Sequence, residues 1–399
     1  MADGEAVAIY IDVPASHGAA IAQGKIHRFP RGLRGIGGSD ERYIAPTVVA
    51  IGPYRHGEPP HLQDMEKAKL AAANHFFAAS VEDVYGKLLS VVGKARDCYD
   101  DDDKVRHFSD GDAVASDHTI LKDVMLLENQ IPWLVLDTLM EMEFLNVDVR
   151  NFVAGLGDKF FPKNGDKAGR WWSVVWATGQ RGNITKLKRD INGGQSYESY
   201  RPAHLLVLLR FSQIWRMPER EINYVAANTS LLSSSAVELA QIGVNLTAST
   251  ARIFGEFLLS PVFLNDVTAC WLVNMAALEA TSSGAAASYV YGDFVVSSYL
   301  SALAMLMDRE EDVQQLRGHR VVLSTFSNTQ TLDLFKRIGQ HLSLGSRYFV
   351  VLEQIEAYRR NRPARTMVYK FLYKHIKAIS VILSIVSVFV GIFKALRGR

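Results

Sequence analysis

The feature that most constrains this chain is an uninterrupted apolar run close to its C-terminus. Residues 378–393, between Lys377 and Lys394, include no charged residue and no Pro, Asn or Gln. A helix of this length is about 24 Å long, whereas the hydrocarbon core of a bilayer is roughly 30 Å thick. The run is short for a membrane span, but local thinning of the bilayer accommodates a mismatch of this size.

Basic residues at both ends of the run favour a bilayer over a protein core. Their methylene stems can lie in the apolar layer while their charges reach the headgroups. A buried C-terminal core helix is the alternative, although such helices usually carry about ten to fourteen apolar residues. We therefore predict a single-pass C-terminal transmembrane anchor at residues 366–399, with its span at about 378–393. Its apolar side chains are Ile379, Val381, Ile382, Leu383, Ile385, Val386, Val388, Phe389, Val390, Ile392 and Phe393, and its basic flanks are Lys374, Lys377, Lys394 and Arg397.

The net charge of +2 is unevenly distributed. Residues 347–399 hold eleven Lys or Arg and two acids, out of 44 and 42 in the whole chain, so the body is acidic and the tail is basic. More of the tail's basic residues lie upstream of the apolar run than downstream. Because positively charged flanks face the cytoplasm, we expect a cytoplasmic body, with the plasma membrane or the endoplasmic reticulum as the membrane.

Small residues recur along one face of the predicted span. Ser380, Ser384, Ser387 and Gly391 are spaced by four, three and four residues. Small faces allow helices to approach closely in lipid, so this face is a candidate for self-association. The alternative is that Ser and Gly are simply tolerated in spans, and the spacing does not decide between the two.

The rest of the chain has the composition of a folded protein. With 48% hydrophobic and 22% charged residues it can bury a large core. We predict a mainly α fold, a multi-helix bundle with a few short strands, over residues 41–365. An extended or loop segment precedes it at residues 1–40. Cys98 and Cys270 lie far apart in sequence, so no disulfide framework is expected.

Helical periodicity predicts one or two helices at 65–94, and further helices at 121–142 and 204–215. In the second stretch Pro132 should kink the helix or end it.

Capping residues mark further helix starts. Ser235 and Glu238 match a capping box, and we expect Asp266 and Asn328 to cap two more helices.

Strand signals are few. Residues 43–51 and 254–263 carry β-branched or aromatic residues interrupted by Pro or Gly. Residues 97–103 hold five Asp, and they predict an exposed acidic loop without the ligand spacing of an EF-hand.

Two motifs are specific. Residues 44–57 read Ile-Ala-Pro-Thr-Val-Val-Ala-Ile-Gly-Pro-Tyr-Arg-His-Gly, and residues 126–136 contain Leu-Glu-Asn-Gln-Ile-Pro. Together with segments at 62–66, 204–206, 235–243 and 274–279, they closely resemble the plant family of domain of unknown function 247, DUF247. The resemblance covers nearly the whole chain. The motif residues are Gly52, Pro53, Tyr54, His56, Glu66, Leu127, Glu128, Asn129, Gln130 and Pro132.

The resemblance implies a plant-specific, mostly helical membrane protein without catalytic activity. Some grass members are associated with self-incompatibility loci and with recognition between pollen and stigma. Family members usually carry a longer stretch, including an Asp-Gly-Cys-Phe motif, between a Cys-Tyr pair, here Cys98-Tyr99, and the Leu-Glu-Asn-Gln run. We therefore expect a core helix of the family to be missing or replaced here.

The polar cluster Glu128, Asn129 and Gln130 interrupts an apolar run, so at least one side chain should point inward and needs partners. The cluster either forms a ligand or partner pocket or hydrogen-bonds backbone groups freed at Pro132, and we favour the second. His56 either belongs to a site or sits in a Gly-Pro and His-Gly turn, and we favour the turn.

Common enzyme motifs and Cys/His metal spacing are missing from the sequence. We expect no catalytic residues, no cofactor and no metal. Nucleic-acid binding is not expected, because the basic residues surround an apolar span rather than line a folded surface. The sequence predicts a membrane-anchored interaction or recognition protein whose partners are the lipid bilayer and another protein. An enzyme of unrecognised type is the alternative.

Overall fold

The computed structural model of the protein describes most of the predicted body and the C-terminal helix. The described residues are 25–55, 62–77, 81–100, 117–142, 148–160, 175–177, 200–214, 235–242, 245–247, 256–259, 261–281, 294–342 and 363–397.

Within these residues the chain is mainly helical, and the strands are short. The α-helices are α1 (Gln63–Phe77), α2 (Val81–Arg96), α3 (Asp117–Val124), α4 (Trp133–Met140), α5 (Val149–Phe160), α6 (Leu205–Ile214), α7 (Ala236–Gln241), α8 (Asp266–Thr281), α9 (Val295–Leu306), α10 (Glu310–Gly318), α11 (Asn328–His341) and α12 (Pro363–Arg397). Shorter 3₁₀ helices lie at Arg31–Asp40, Pro53–Arg55 and Leu127–Asn129. The strands are β1 (Val175–Ala177), β2 (Asn245–Thr247), β3 (Glu256–Leu258), β4 (Val262–Leu264) and β5 (Val322–Ser324). The predicted mainly α class with a few short strands is confirmed.

The strands form two small sheets. One has the order β1-β3-β2, in which β3 pairs antiparallel with β1 and parallel with β2. The other pairs β4 with β5 in parallel, with Val262 opposite Val322 and Leu264 opposite Ser324. The second sheet joins the start of α8 to the loop that precedes α11.

Side-chain caps define where several helices begin. The Ser235 hydroxyl accepts from the backbone N–H of Glu238, and the Glu238 carboxylate accepts from the backbone N–H of Ser235, which confirms the predicted capping box. The other two predicted caps are each wrong by one residue. Asn265, rather than Asp266, accepts from the N–H of Thr268, and Ser327, rather than Asn328, accepts from that of Gln330.

Helix α8 lies at the centre of the core. Its residues from Val267 to Glu279 are all buried, and it contacts α3, α6, α9 and β4. Trp271 is fully buried and donates its indole N–H to the carbonyl of Leu121 at 3.0 Å. A buried Trp needs such a partner, so this bond fixes α8 against α3.

The N-terminal part of the chain packs on the same core. Phe29, Leu33 and Ile36 are buried in it, and the 3₁₀ helix at Arg31–Asp40 contacts α11. Residues before the predicted domain boundary at 41 thus belong to the folded body.

Several sequence expectations differ in detail from the structure. The 65–94 stretch forms two helices, α1 and α2, and the 121–142 stretch is divided by the 3₁₀ turn at Leu127–Asn129 and by Pro132. Residues 43–51 form no strand, whereas β3 lies within 254–263 and β4 begins within that segment and ends one residue beyond it. Cys98 and Cys270 are free thiols. Residues 101–103 of the acidic segment lie outside the described residues.

Candidate functional site: a buried polar network and an exposed C-terminal helix

Asn129 joins two distant parts of the chain. Its side-chain oxygen accepts from the backbone N–H groups of Ile51 and Gly52 at 2.7 and 3.0 Å, and its amide group donates to the carbonyls of Val49 and Asp123. All four hydrogen-bonding positions of the buried amide are therefore used on backbone. A Cβ at Gly52 would lie 2.8 Å from the Gln130 carbonyl oxygen, so this close approach requires glycine.

Asp123 supports the same segment from the end of α3. It is fully buried, and its Oδ2 accepts from the backbone N–H groups of Thr47, Val48 and Val49 at 2.7–3.0 Å. Hydrogen bonds to a carboxylate are stronger than those between neutral groups. Asp123 thus holds a stretch of backbone that has no strand partner.

Glu128 ties the N-terminal segment to the 3₁₀ turn. The buried carboxylate accepts from the N–H of Phe29 at 2.8 Å and from Arg34 at 3.2 Å, and Arg55 lies 2.5 Å from its second oxygen. Glu41 lies beside both arginines, at 2.8 Å from Arg34 and 3.8 Å from Arg55. Two cations and one amide therefore compensate the buried charge, as a buried carboxylate requires.

Gln130 connects this turn to α6. Its amide group donates to the carbonyls of Val124 and Leu126, and its oxygen accepts from the N–H of Leu206 at 3.0 Å. The same oxygen lies 3.1 Å from Nδ1 of His204, a fully buried side chain. Because α6 begins one residue after His204, Gln130 fixes the start of that helix.

Asn274 extends the network into α8. Its side-chain oxygen accepts from the N–H of Leu127 at 2.8 Å, and its amide group donates to the carbonyls of Tyr43 and Cys270. The N-terminal segment, the 3₁₀ turn and the central helix are thus joined through one buried amide.

A second buried cluster surrounds Glu279, near the C-terminal end of α8. Its carboxylate accepts from Arg210 at 2.7 and 3.0 Å, from the backbone N–H groups of Val296 and Ser297, and from the Ser297 hydroxyl. Both members of the ion pair are buried. The cluster holds α6 and the first turn of α9 against α8.

Burial shifts the pKa values of three titratable side chains in the body, His204, Cys270 and Tyr43. Burial lowers the pKa of His204 to about 3, with a smaller contribution from His27. Burial raises the pKa of Cys270 to about 12 and also raises that of Tyr43. A general acid or base works best with a pKa near the working pH, so these three groups do not suit proton transfer. In the part of the chain that the structure describes, no three His, Cys, Asp or Glu side chains could hold a metal ion.

The structure brings most of the predicted motif residues together. The Pro53–Arg55 turn contacts the Leu127–Asn129 turn, and the Tyr54 hydroxyl donates to the carbonyl of Ile26. Glu66 pairs with Lys69, which donates to the carbonyl of Ala50. Pro132 directly precedes α4, and His56 lies outside the described residues.

Sequence reasoning missed Asp123, Asn274 and Glu279 as members of the buried network. Each stands in an apolar stretch, which is the signal that singled out Glu128. Applied to the whole chain, that signal would have identified them, but it would not have identified their partners.

A model of the family described as "DUF247: Plant protein of unknown function" matches residues 26–116 and 101–390. These segments cover most of the chain. The chain belongs to this plant family. The DUF247 protein is also 24% identical over 340 residues to the UPF0481 protein At3g47200 of Arabidopsis thaliana, a match that covers 74% of this chain and 68% of that protein. No solved structure matches it.

The second candidate site of this DUF247 protein is α12, which exposes the predicted anchor residues. Ten large apolar side chains between Val381 and Phe393 are 49–66% exposed, and Ile379 is half-buried. The small residues of the predicted span are also exposed. Ser380, Ser384 and Ser387 are exposed to solvent, and no other group lies within 4 Å of a Cβ placed at Gly391. Lys394 is exposed as well. Among the described residues, no helix combines the length and the apolar character needed to cross a membrane.

Proposed function

We propose that this DUF247 protein is a membrane-attached, non-catalytic recognition protein. In this proposal α12 inserts into a lipid bilayer and sets the location, while the helical body supplies a surface that binds another protein. The observation that carries the proposal is the exposure of ten large apolar side chains over most of the circumference of α12 between Val381 and Phe393, in a run without a charged residue.

The distribution of these side chains distinguishes α12 from a helix on a protein surface. Exposed apolar residues stand at 381–383, 385, 386, 388–390, 392 and 393, and successive residues differ by about 100° around the axis. They therefore cover all but about 140° of the circumference, and Ser380, Ser384, Ser387 and Gly391 occupy the remaining sector. A surface helix of a globular protein carries an apolar stripe with charged or polar residues on the opposite face, whereas the opposite face of this stretch carries only small uncharged residues.

The free energy of transferring the apolar side chains of α12 out of water favours stable attachment to a bilayer. Transfer of each half-exposed side chain out of water contributes about 1 to 2 kcal/mol, and ten of them contribute roughly 10 to 20 kcal/mol. A single myristoyl chain, which gives only marginal membrane binding, contributes about 10 kcal/mol when counted per buried CH₂ in the same way, which is at the lower end of this range. Thinning of the bilayer by a few ångströms costs only fractions of a kcal/mol per ångström.

Charge supports one orientation. Basic residues are more numerous before residue 378 than after residue 393, which favours a cytoplasmic body with the C-terminus on the opposite side. The plasma membrane and the endoplasmic reticulum are the proposed locations.

The buried polar network supports a role for the body as a scaffold rather than a reaction site. The side chains of Asp123, Asn129 and Gln130 use their hydrogen-bonding capacity chiefly on backbone groups of the same fold. We assign no catalytic step to the chain. The open face of Ser380, Ser384, Ser387 and Gly391 is a proposed site for self-association in the membrane.

Carbonate extraction of the full-length protein tests the anchor. Membranes from cells that produce the chain are washed with alkaline carbonate, which removes peripheral proteins. We expect the native chain to stay in the pellet. Val386→Lys together with Val388→Lys should release it, because each Lys at the centre of a span costs roughly 2.5 to 3.5 kcal/mol.

A matched control is Phe152→Lys together with Leu323→Lys, which places the same charges on exposed apolar positions of the body. This variant should stay in the pellet. Release of the native chain by carbonate, or retention of the Val386 and Val388 double variant, would refute anchoring by α12. Protease treatment of intact vesicles tests the orientation separately, since a body spared from digestion lies on the lumenal side.

A further inference from the structure

Helix α2 presents one face to the body and another to solvent. Val84 is buried on the inner face and Leu88 is half-buried, where α2 packs against α4 and α1. On the outer face Tyr85, Leu89 and Val92 are 64, 54 and 41% exposed. Exposed Tyr and Leu side chains in a row on one helix face are typical of an interaction surface.

The spacing of the outer face is that of a coiled-coil seam. Glu82, Tyr85, Leu89, Val92 and Arg96 are separated by three, four, three and four residues. This alternation keeps a row of side chains against a partner helix. The seam is apolar in its middle, acidic at its start and basic at its end.

The charges select the orientation of a second copy. Glu82 and Arg96 are both exposed, and they lie seven residues before and after Leu89. In an antiparallel pair centred on Leu89, each Glu82 faces the Arg96 of the other copy, and both contacts are attractive. In a parallel pair, Glu82 would face Glu82 and Arg96 would face Arg96, which is repulsive.

The apolar side chains fit the same arrangement. In the antiparallel register that pairs Leu89 with itself, Tyr85 of one copy lies close to the level of Val92 of the other, so apolar side chains meet along the middle of the seam. Gly86 and Gly93 lie beside the seam, and no other group lies within 4 Å of a Cβ at either position. The surface is therefore complementary to itself, as a twofold dimer requires.

We propose that two copies of this chain pair through antiparallel contact of their α2 helices, with Leu89 at the twofold axis. The inference rests on the proposed role of the body as an interaction surface, and it names a second copy of the chain as one partner. It involves neither α12 nor insertion into a bilayer.

The size of the seam sets the strength of the dimer. Three large apolar side chains on each copy cover much less than the roughly 800 Å² per partner of a stable interface. The dimer is therefore transient in dilute solution. Attachment of both copies to one membrane raises their effective concentration and shifts the equilibrium toward the pair.

Site-specific cross-linking of the full-length chain in detergent tests the pairing. Cys98 is replaced by Ser, because it is partly exposed, while the buried Cys270 is kept. Leu89→Cys in this background should give a covalent dimer with a short bismaleimide. Phe152→Cys is the matched control, because Phe152 is 55% exposed on α5, and it should give severalfold less dimer.

Charge exchange tests the orientation. Glu82→Arg gives a copy with two basic ends, and Arg96→Glu gives one with two acidic ends. Each variant alone should dimerise roughly tenfold more weakly than the native chain, because two attractive contacts become repulsive. An equimolar mixture of the two should regain dimerisation, since every end of one copy then meets the opposite charge on the other. Sedimentation at high protein concentration measures these dissociation constants.

Cross-linking of Leu89→Cys above the Phe152→Cys control, together with recovery in the mixture, would support the proposal. Equal cross-linking of the two cysteine variants, or a mixture no stronger than its components, would overturn it. Both assays use detergent-solubilised protein, so failure of carbonate retention would refute the anchor without affecting this result.

Discussion

Helix α8 and the apolar run of α12 are both rich in apolar residues, but their surroundings are opposite. Residues Val267–Glu279 of α8 are all buried in the protein, whereas the apolar side chains of α12 from Val381 to Phe393 are about half exposed. Their polar residues differ in the same way. Asn274 and Glu279 on α8 bond to other elements, while Ser384 on α12 donates to the carbonyl of Ser380 in its own helix. Polar side chains that reach other elements mark a core helix, and those satisfied within the helix suit lipid.

The largest expected effect comes from placing the same charge on both helices. Ala276→Asp puts an unpaired carboxylate at a fully buried position of α8 and should lower the free energy of unfolding by more than about 4 kcal/mol. Val386→Asp should leave the unfolding of the body unchanged and weaken only membrane retention. Urea unfolding of the detergent-solubilised chain, followed by Trp fluorescence, measures the first effect. Equal destabilisation by both substitutions would show that α12 packs as a core helix.

Removal of a buried charge on α8 should have the next largest effect. Glu279→Ala leaves Arg210 buried without its carboxylate and frees the N–H groups of Val296 and Ser297. We expect a loss of roughly 3 to 5 kcal/mol, since removing one partner of a buried ion pair is strongly destabilising. Glu311→Ala, at an exposed position of α10, is the control and should change stability little. A small effect of Glu279→Ala in urea unfolding would contradict the role given to this cluster.

A neutral polar residue gives a finer comparison of the two helices. Asn274→Ala removes the hydrogen bonds to Leu127, Tyr43 and Cys270 and should cost roughly 2 to 3 kcal/mol. Ser384→Ala removes a bond within α12 and should leave the urea midpoint of the body unchanged. If the two substitutions were equivalent, the proposed distinction between a core helix and a lipid helix would fail.

The smallest effect expected is a dependence on pH confined to the body. Because the pKa of His204 is about 3 in the folded state and about 6.5 in the unfolded state, only the unfolded state takes up a proton between these values. The contribution of neutral His204 to the free energy of unfolding is intact above about pH 6.5 and is lost progressively as the pH falls toward 3. Between pH 7 and 5 the loss is roughly 2 kcal/mol.

Urea unfolding of the native chain at pH 7 and pH 5 measures this loss. His204→Asn should reduce the difference, whereas His319→Asn, at a partly exposed position, should preserve it. Carbonate-resistant membrane retention after incubation at pH 5 should be unchanged, because residues 378–393 contain no titratable side chain. An unchanged pH dependence in His204→Asn would assign the effect to another group.

Local signals predicted local structure well. The Ser235 and Glu238 pair marked the start of α7, because a capping box is complete within four residues. The neighbouring caps at Asn265 and Ser327 were misplaced by one residue, since two adjacent residues in each case could supply the capping oxygen.

Residues 43–51 show where local signals failed. Their β-branched and aromatic residues are typical of a strand, yet Asp123 accepts from the backbone N–H groups of Thr47, Val48 and Val49, and Asn129 accepts from that of Ile51. Side chains more than 70 residues away thus replace the neighbouring strand. Propensity alone does not reveal such partners.

The sequence by itself determined the family, the mainly helical class and the apolar character of the C-terminal run, because these depend on residue order and local spacing. It also singled out Glu128, Asn129 and Gln130 as polar groups that need partners. Only the tertiary structure decided which partners they have, and that Tyr85, Leu89 and Val92 of α2 are exposed to solvent. Burial and long-range hydrogen bonds depend on which segments meet in space, and that is a property of the packed chain as a whole.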